Sequence, residues 1–337
     1  MASRSTYPQR TGAPCPAPPT PLRDPSFPLV VRLLERHPDY RRAARACPDI
    51  ASPRTASTAS AAHCNVVLVH GGLSNCLADF GDSLIGGPEP LLGSEHGVHT
   101  YRFEHDTWLP IRDNVDHLVR LVRQKLCGRL LVFIAFSRGG VVAVRAAARL
   151  WETGAIGADR QLAPGVHHDV LVMTFGSPHR GFGTADVVAR LPRLGYCAQS
   201  LLSQAADALP PSLRRGVFFS SLRRLRRLPA GIAELSPTNP EFEAFIDSAI
   251  GRRFDRRVQS FGGAPAKVSW LPAWCRGLLV RPIPGIGDGA VSLESSTGYG
   301  ARRRALAGCR HNDYFRHAEV RQAIAGQIGS AQPAHAN

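Results

Sequence analysis

Leu130-Leu131-Val132-Phe133-Ile134-Ala135-Phe136-Ser137-Arg138-Gly139-Gly140 is the stretch on which the reading of this 337-residue chain turns. Seven apolar residues in a row, with no polar alternation, fit a strand covered on both faces, as in a parallel sheet. The run ends on Ser137 and passes straight into an Ala/Val-rich stretch of helical composition that lasts to about Leu150. A strand that becomes a helix within a residue or two needs small residues on either side of the turn. The pattern G-x-S-x-G allows this, and here it reads Ala135-Phe136-Ser137-Arg138-Gly139. Alanine adds only a methyl group, so the turn still closes. In such a turn the serine hydroxyl sits exposed at the top of the sheet, and the helix N-terminus behind it favours developing negative charge. A plainer reading makes Ser137 an ordinary helix N-cap. The long buried strand before it and the small-residue helix after it favour the reactive hydroxyl.

Working outward, Val66-Val67-Leu68-Val69 is a second short buried run, closed by His70-Gly71-Gly72. Val98 to Phe103 alternates weakly as a strand. Ile111 to Cys127 carries Val115, Leu118, Val122 and Leu126 at helical spacing with arginines between them. Val170 to Phe175 is another buried strand, ended by Gly176-Ser177-Pro178. Strands and helices alternating in this rhythm predict right-handed crossovers and a mostly parallel sheet with helices on both faces. Further strands are expected near Arg257 to Phe261 and at Gly277 to Arg281, with a closing helix over His317 to Ile328.

The domain expected from this order spans 65–330. Before it, 1–60 is rich in Pro, Ser, Thr and Arg and reads as a disordered tail holding a short amphipathic helix around Leu29 to Arg45. After it, 331–337 reads as a flexible end. Within it, 181–250 is broken by Pro192, Pro210-Pro211, Pro229 and Pro237 and reads as a helical cap inserted above the sheet. Leu213 to Leu228 places Phe218, Leu222 and Leu225 on one helical face, surrounded by Arg214, Arg215, Arg223, Arg224, Arg226 and Arg227. A basic amphipathic helix of this kind can lie peripherally on an anionic membrane. Packing on the domain with a solvated arginine face is the preferred reading.

A reactive serine needs a base for its proton, and the base needs an orienting carboxylate. After an elbow of this kind the order is acid, then histidine. Asp288 stands between glycines in Ile286-Gly287-Asp288-Gly289-Ala290-Val291, and His311 stands in Cys309-Arg310-His311-Asn312-Asp313-Tyr314. Both fall where loops at the sheet's rim could reach Ser137, although Asp288 could equally be a turn residue. His179 comes too early for that order and is assigned to the pocket lining, with His70 and Gly71. His317 is expected to begin the last helix. The oxyanion donors would be the backbone N–H groups of Arg138 and Gly72. A strand ending in His-Gly-Gly is also the form of a phosphate-binding turn, but neither G-x-G-x-x-G nor a Walker lysine accompanies it.

Bulk properties narrow the field. The formal net charge is +15, yet Lys125 and Lys267 are the only lysines and the arginines spread along the whole chain. Compositional bias explains this better than a dedicated polyanion site, so no specific nucleic-acid partner is expected. No apolar run approaches the roughly 20 residues of a membrane span, and the N-terminus has no signal-peptide h-region. The eight cysteines are scattered without C-x-x-C spacing. Scattered thiols without such spacing fit a cytoplasmic protein with reduced cysteines and no metal.

Taken in order, Val66-Val67-Leu68-Val69-His70-Gly71-Gly72, Ala135-Phe136-Ser137-Arg138-Gly139-Gly140, Phe175-Gly176-Ser177-Pro178-His179-Arg180-Gly181, Leu235-Ser236-Pro237, Asp288-Gly289-Ala290-Val291-Ser292 and His311-Asn312-Asp313 resemble the motifs of the lipase/esterase branch of the α/β-hydrolases. Bacterial triacylglycerol lipases and relatives of the GPI inositol-deacylases belong to that branch. The resemblance runs from about Asn65 to Ile328 and rests on six short motifs in the right order. It departs at Ala135 and in the arginine-rich insertion. It implies an α/β-hydrolase fold and hydrolysis of a small-molecule or lipid ester through an acyl-enzyme, with Ser137, Asp288 and His311 as the triad and no cofactor. An acyltransferase with the same triad, or a non-catalytic binding protein of the same fold, would share these motifs.

Overall fold

The computed structural model describes residues 43–52, 62–72, 74–85, 91–92, 98–126, 128–154, 167–182, 230–264 and 287–329. The sheet found among them has six strands: β1 (Ala62–Val69), β2 (Val98–Phe103), β3 (Gly128–Phe136), β4 (His167–Phe175), β5 (Val258–Ala264) and β6 (Arg302–Ala307). Their spatial order is β2-β1-β3-β4-β5-β6, and every neighbouring pair is parallel. The helices are α1 (Cys76–Phe80), α2 (Ile111–Lys125), α3 (Arg138–Glu152), α4 (Ala230–Ala233), α5 (Glu241–Asp247), α6 (Ala249–Phe254), α7 (Leu293–Ser296) and α8 (Ala318–Gly329).

The pleat explains why the sheet-forming runs are apolar throughout. Successive side chains of a strand point to opposite faces. Val67, Val69, Leu131, Phe133 and Ala135 join one core cluster with α2, α3 and Phe254 of α6. Val66, Leu68, Val132, Ile134 and Phe136 join a second cluster with α1 and α8. With helices on both sides, both faces of the central strands are built mostly of apolar side chains. Helix α2 keeps the predicted stripe, with Ile111, Val115, Leu118 and Val122 buried while Arg112, Arg120 and Arg123 face solvent.

Helix α3 lies close against β1. A Cβ on Gly139 would stand 2.3 Å from the His70 carbonyl oxygen and 2.4 Å from that of Val69, so only glycine permits this approach. The contact brings the end of β1 and the turn after it beside the end of β3. Leu131, Val132, Phe133 and Ile134 of β3 are completely buried. At about 1.5–3 kcal/mol for each such side chain, they outweigh the ~1–3 kcal/mol needed to hold a strained backbone at the strand's end.

The structure differs from these expectations in two places. The sixth strand is Arg302–Ala307, at the sheet edge, where Arg302, Arg303 and Arg304 are exposed. Gly277 to Arg281, expected as a strand, lies outside the described residues. Within the expected 1–60 tail, the described residues 43–52 are packed against the domain. A helical turn at 43–46 leads to Asp49, which bridges to Arg102 of β2, and Ala43, Cys47 and Ile50 are buried in the two cores. Arg102 anchors this segment by donating from Nε to the Cys47 carbonyl at 3.0 Å. Most of the Leu29–Arg45 helix, the Leu213–Leu228 helix and the 331–337 end lie outside the described residues. The described part of the 181–250 insertion, from Ala230 onward, is largely helical. Among the described residues no helix is long and apolar enough to cross a membrane.

Candidate active site

Ser137 occupies the one residue position between β3 and α3, with φ 51° and ψ −128°. Among the described residues it is the single non-glycine with positive φ. An ordinary N-cap has an extended backbone and a side-chain oxygen that accepts from the helix. Ser137 has neither, since its side chain makes no cap hydrogen bond. Its N–H donates instead to the Phe175 carbonyl at 2.9 Å, and the residue is half-buried.

That hydroxyl lies 3.1 Å from Nε2 of His311. On the other side of the ring, Nδ1 lies 2.8 Å from Oδ2 of Asp288. Two loops thus bring together three side chains from distant parts of the sequence. The Asp288 loop leaves β5 by way of the undescribed 265–286, and the His311 loop follows β6. The two loops are also tied by the backbone, with His311 N–H donating to the Asp288 carbonyl at 3.0 Å. The imidazole packs against Phe136, with ring centroids 4.8 Å apart.

Asp288 is buried, its side chain wholly so. Burial alone would push its carboxyl up. The neighbouring His311, together with N–H donors from Val291 (2.8 Å) and Ala290 (2.9 Å) to Oδ1, more than offsets this and holds it below the usual carboxylate range. The short backbone hydrogen bonds explain the glycine and small-residue context that made Asp288 resemble a turn residue. It is a turn residue whose second oxygen is free for the histidine.

Tyr314 was not anticipated from the sequence. Its hydroxyl donates to Asp288 Oδ2 at 2.7 Å and accepts from the Gly263 N–H at 2.7 Å. Burial, then the adjacent carboxylate, raise the phenol well above its ordinary value, so it stays a donor. Removing the hydroxyl with Tyr314→Phe orphans the buried Gly263 N–H and loosens one anchor of Asp288. We expect kcat of any reaction that draws on the Ser137, His311 and Asp288 line to fall threefold to tenfold, the scale of about 1 kcal/mol for such a bond. Steady-state kinetics together with the melting temperature test this. A lowered melting temperature with unchanged kcat would assign Tyr314 to the core alone.

On the facing side, the turn after β1 passes over the serine. A Cβ built on Gly71 would stand 3.1 Å from the Ser137 Cβ. Gly72, next along, is partly exposed. Arg138 is the first residue of α3, and first-turn N–H groups have no partner within their own helix. The arginine side chain has a separate job. It is completely buried and donates to the carbonyls of Gly231 (Nε, 3.0 Å) and Leu109 (Nη2, 2.7 Å) and to Nδ1 of His105 (Nη1, 3.3 Å).

His70 lies wholly beneath this turn. Its Nδ1 is 2.8 Å from the Gly71 carbonyl and its Nε2 accepts from the His105 N–H at 3.1 Å, while the two imidazoles stack at 4.0 Å. Burial drives His70 down to about 3 and pushes His105 well below its ordinary value, so both are neutral and serve as hydrogen-bonding struts. His179 is likewise buried and pushed down to about 3 by burial and Arg303, with Nε2 2.9 Å from the Thr174 hydroxyl. It lines a small hollow with Val141, Phe242, Phe245 and Tyr299, none of which belongs to the Ser137 cluster. His317 follows the short turn Tyr314–Arg316 and directly precedes α8. The cysteines at 47, 64, 76 and 309 are buried free thiols, and no cluster of three or more metal-ligating side chains occurs among the described residues.

A parallel sheet of this order, covered by helices on both faces, with a strained serine between its third strand and the next helix and an acid loop and a histidine loop returning from later strands, is the α/β-hydrolase fold. No family model matches the chain, and no curated protein sequence matches it. Similar solved structures include the mature lipase BlEst2 of Bacillus licheniformis, 12% identical over 82% of this chain and 95% of that one, with TM-score 0.49. EstA of Clostridium botulinum is 12% identical over 93% and 98%, with TM-score 0.46. Lipase 1 of Pelosinus fermentans is 14% identical over 80% and 98%, with TM-score 0.43.

Proposed function

We propose that this chain is a serine hydrolase that cleaves carboxylic esters of small molecules or lipids through an acyl-enzyme. The observation that carries the reading is the unbroken hydrogen-bonded line from the Ser137 hydroxyl through His311 to Asp288 (3.1 and 2.8 Å), built on a serine whose backbone is strained and whose side chain caps nothing. Ser137 Oγ attacks the ester carbonyl carbon as His311 Nε2 takes its proton. The carbonyl π electrons move to oxygen, where the N–H groups of Arg138 and Gly72 receive the negative charge. Collapse of this intermediate breaks the bond to the alcohol oxygen, which leaves with the proton from His311. Water then repeats the sequence on the acyl-enzyme and releases the acid and the free serine. Asp288 holds the ring in the orientation and tautomer that present Nε2 to the serine and stabilises its charged form.

An alkyl fluorophosphonate, which needs an activated serine to displace fluoride, provides the test. Trypsin cuts after Arg129 and Arg138, so the expected product is a phosphonylated Leu130–Arg138 peptide carrying the mass on Ser137. No labelling, or labelling on another peptide, would overturn the assignment. A panel of esters of graded acyl length then gives the substrate class.

A further inference from the structure

The Ser137 reading accounts for one side of the site through Asp288 and Tyr314. The opposite side, where Gly71 lies against the serine, is held by a second carboxylate that neither the motifs nor the proposed chemistry uses. Asp79 lies in the first helical turn of α1. That helix is fixed at its start by Asn75, whose side chain accepts from the Ala78 N–H at 3.0 Å and whose carbonyl accepts from the Asp79 N–H at 3.1 Å. It is pinned to the sheet by Cys76, whose thiol points at the Leu68 and Phe103 carbonyls and whose N–H donates to Glu104.

From this platform the two oxygens of Asp79 reach back in different directions. Oδ2 accepts from the Gly71 N–H at 2.8 Å and Oδ1 accepts from the Ser74 hydroxyl at 2.6 Å. The Gly71 peptide is thereby gripped from both ends, since its carbonyl meets His70 Nδ1. A short glycine-rich turn would otherwise sample many conformations.

Resting on the Ser137 reading, we propose that Asp79 is a positioning residue for the oxyanion side of the site: its carboxylate bridges Gly71 and Ser74 and so sets the turn that presents the Gly72 amide to the reacting carbonyl. The ionisable groups around it fit this role. His311 is the cationic partner within its field once protonated, and the Cys76 thiol, on the same helix, is buried and neutral. Burial lifts the Asp79 carboxyl to about 6, against the lowering effects of the Gly71 N–H, the Ser74 hydroxyl and His311. Above that pH both oxygens accept. Below it one oxygen carries a proton and the bridge is weakened, so the turn loosens on the acid side.

The test uses Asp79→Asn in the full chain, which keeps size and shape, with Ser74→Ala as its companion. An electrophilic trifluoromethyl ketone serves as a probe that binds as an oxyanion. Complete loss of an oxyanion donor costs about 10²–10³ in kcat, and misplacing one should cost less. For Asp79→Asn we expect kcat lowered about tenfold with KM within about twofold, and inhibition by the ketone weakened by the same factor as kcat. The acid-side loss that protonation of the Asp79 carboxylate brings near pH 6 in the wild type should be absent from the variant, because asparagine does not titrate. For Ser74→Ala we expect a milder loss, about threefold, in both kcat and ketone affinity. If folded Asp79→Asn keeps wild-type kcat, ketone affinity and pH profile, the role of Asp79 is overturned. If Asp79→Asn does not fold, Ser74→Ala decides alone, and unchanged parameters there overturn it equally. The two readings separate cleanly: a wild-type protein that turns over no ester defeats the Ser137 assignment, whereas an active wild type with unaffected variants defeats only the Asp79 proposal.

Discussion

His311→Ala is expected to lower kcat on an activated ester by on the order of 10⁵–10⁶, about 7–8 kcal/mol of transition-state stabilisation. The size follows from the position of Nε2. At 3.1 Å from Ser137 Oγ it is the one base in hydrogen-bonding contact with that hydroxyl among the described residues. The other histidines near the sheet's rim cannot take over. His70 and His105 are occupied and held neutral beneath the turn, and His179 is engaged with Thr174. Asp288→Asn should cost less, about 10⁴, because the serine and imidazole remain and the damage is to tautomer and orientation. The carboxylate accepts from Ala290, Val291 and Tyr314 as well as His311, so an amide introduced there would point a donor into a site built of donors. Because the three residues act as a unit, Ser137→Ala combined with His311→Ala should fall no further than either alone. Stopped-flow or long-incubation kinetics on p-nitrophenyl esters would measure this. A loss under 100-fold for His311→Ala in folded protein would remove His311 as the base.

What the sequence disclosed and what it concealed divide along physical lines. The buried strands were legible because a strand covered on both faces is apolar at most of its positions, and Leu130–Phe136 is apolar at every one. Ser137, Asp288 and His311 were legible as residue types in a required order, and the structure brings them within hydrogen-bonding distance. Strand β6 was concealed because it is an edge. With Arg302, Arg303 and Arg304 exposed, it has no apolar periodicity, and charged residues are a common guard against edge-to-edge association.

Asp79 and Tyr314 were concealed for another reason. Their partners are backbone groups or carboxylates distant in the chain: Gly71 eight residues before Asp79, Gly263 fifty-one before Tyr314. No spacing rule announces such a bond. A faint local signal did exist at Asp79, since Asn75 has the composition of an N-cap and an acid four residues on falls in the first turn. The role of the Arg138 side chain was concealed because the elbow pattern fixes only the serine and the small residues around it and leaves the residue after the serine unspecified.

Arg138→Met tests that division between amide and side chain, and its expected effect on stability is large. Methionine keeps the backbone N–H proposed for the oxyanion and fills similar space, but it donates nothing. The half-buried carbonyl of Leu109, the buried carbonyl of Gly231 and the ring nitrogen of His105 would all lose their donor. An orphaned buried acceptor costs about 1–3 kcal/mol, so three give roughly 3 kcal/mol or more even after crediting the release of a buried cation from its desolvation. That desolvation is real, since burial pulls the guanidinium down to about 10 against the opposing pull of Glu234 and Asp106. For a domain of this size a loss of about 3 kcal/mol lowers the melting temperature by about 6–12 °C. Arg138→Lys restores charge and one donor but not the fork, and should recover only part of the loss. Below the melting transition, folded Arg138→Met should keep kcat within a few-fold of wild type. The guanidinium ties the 105–111 loop to Gly231, where the chain re-enters from residues 183–229, and it touches neither Ser137 nor His311. Calorimetry and kinetics on the same sample read both halves at once. A collapse of kcat with an unchanged melting temperature would mean that the side chain, and not only the amide, works on the substrate.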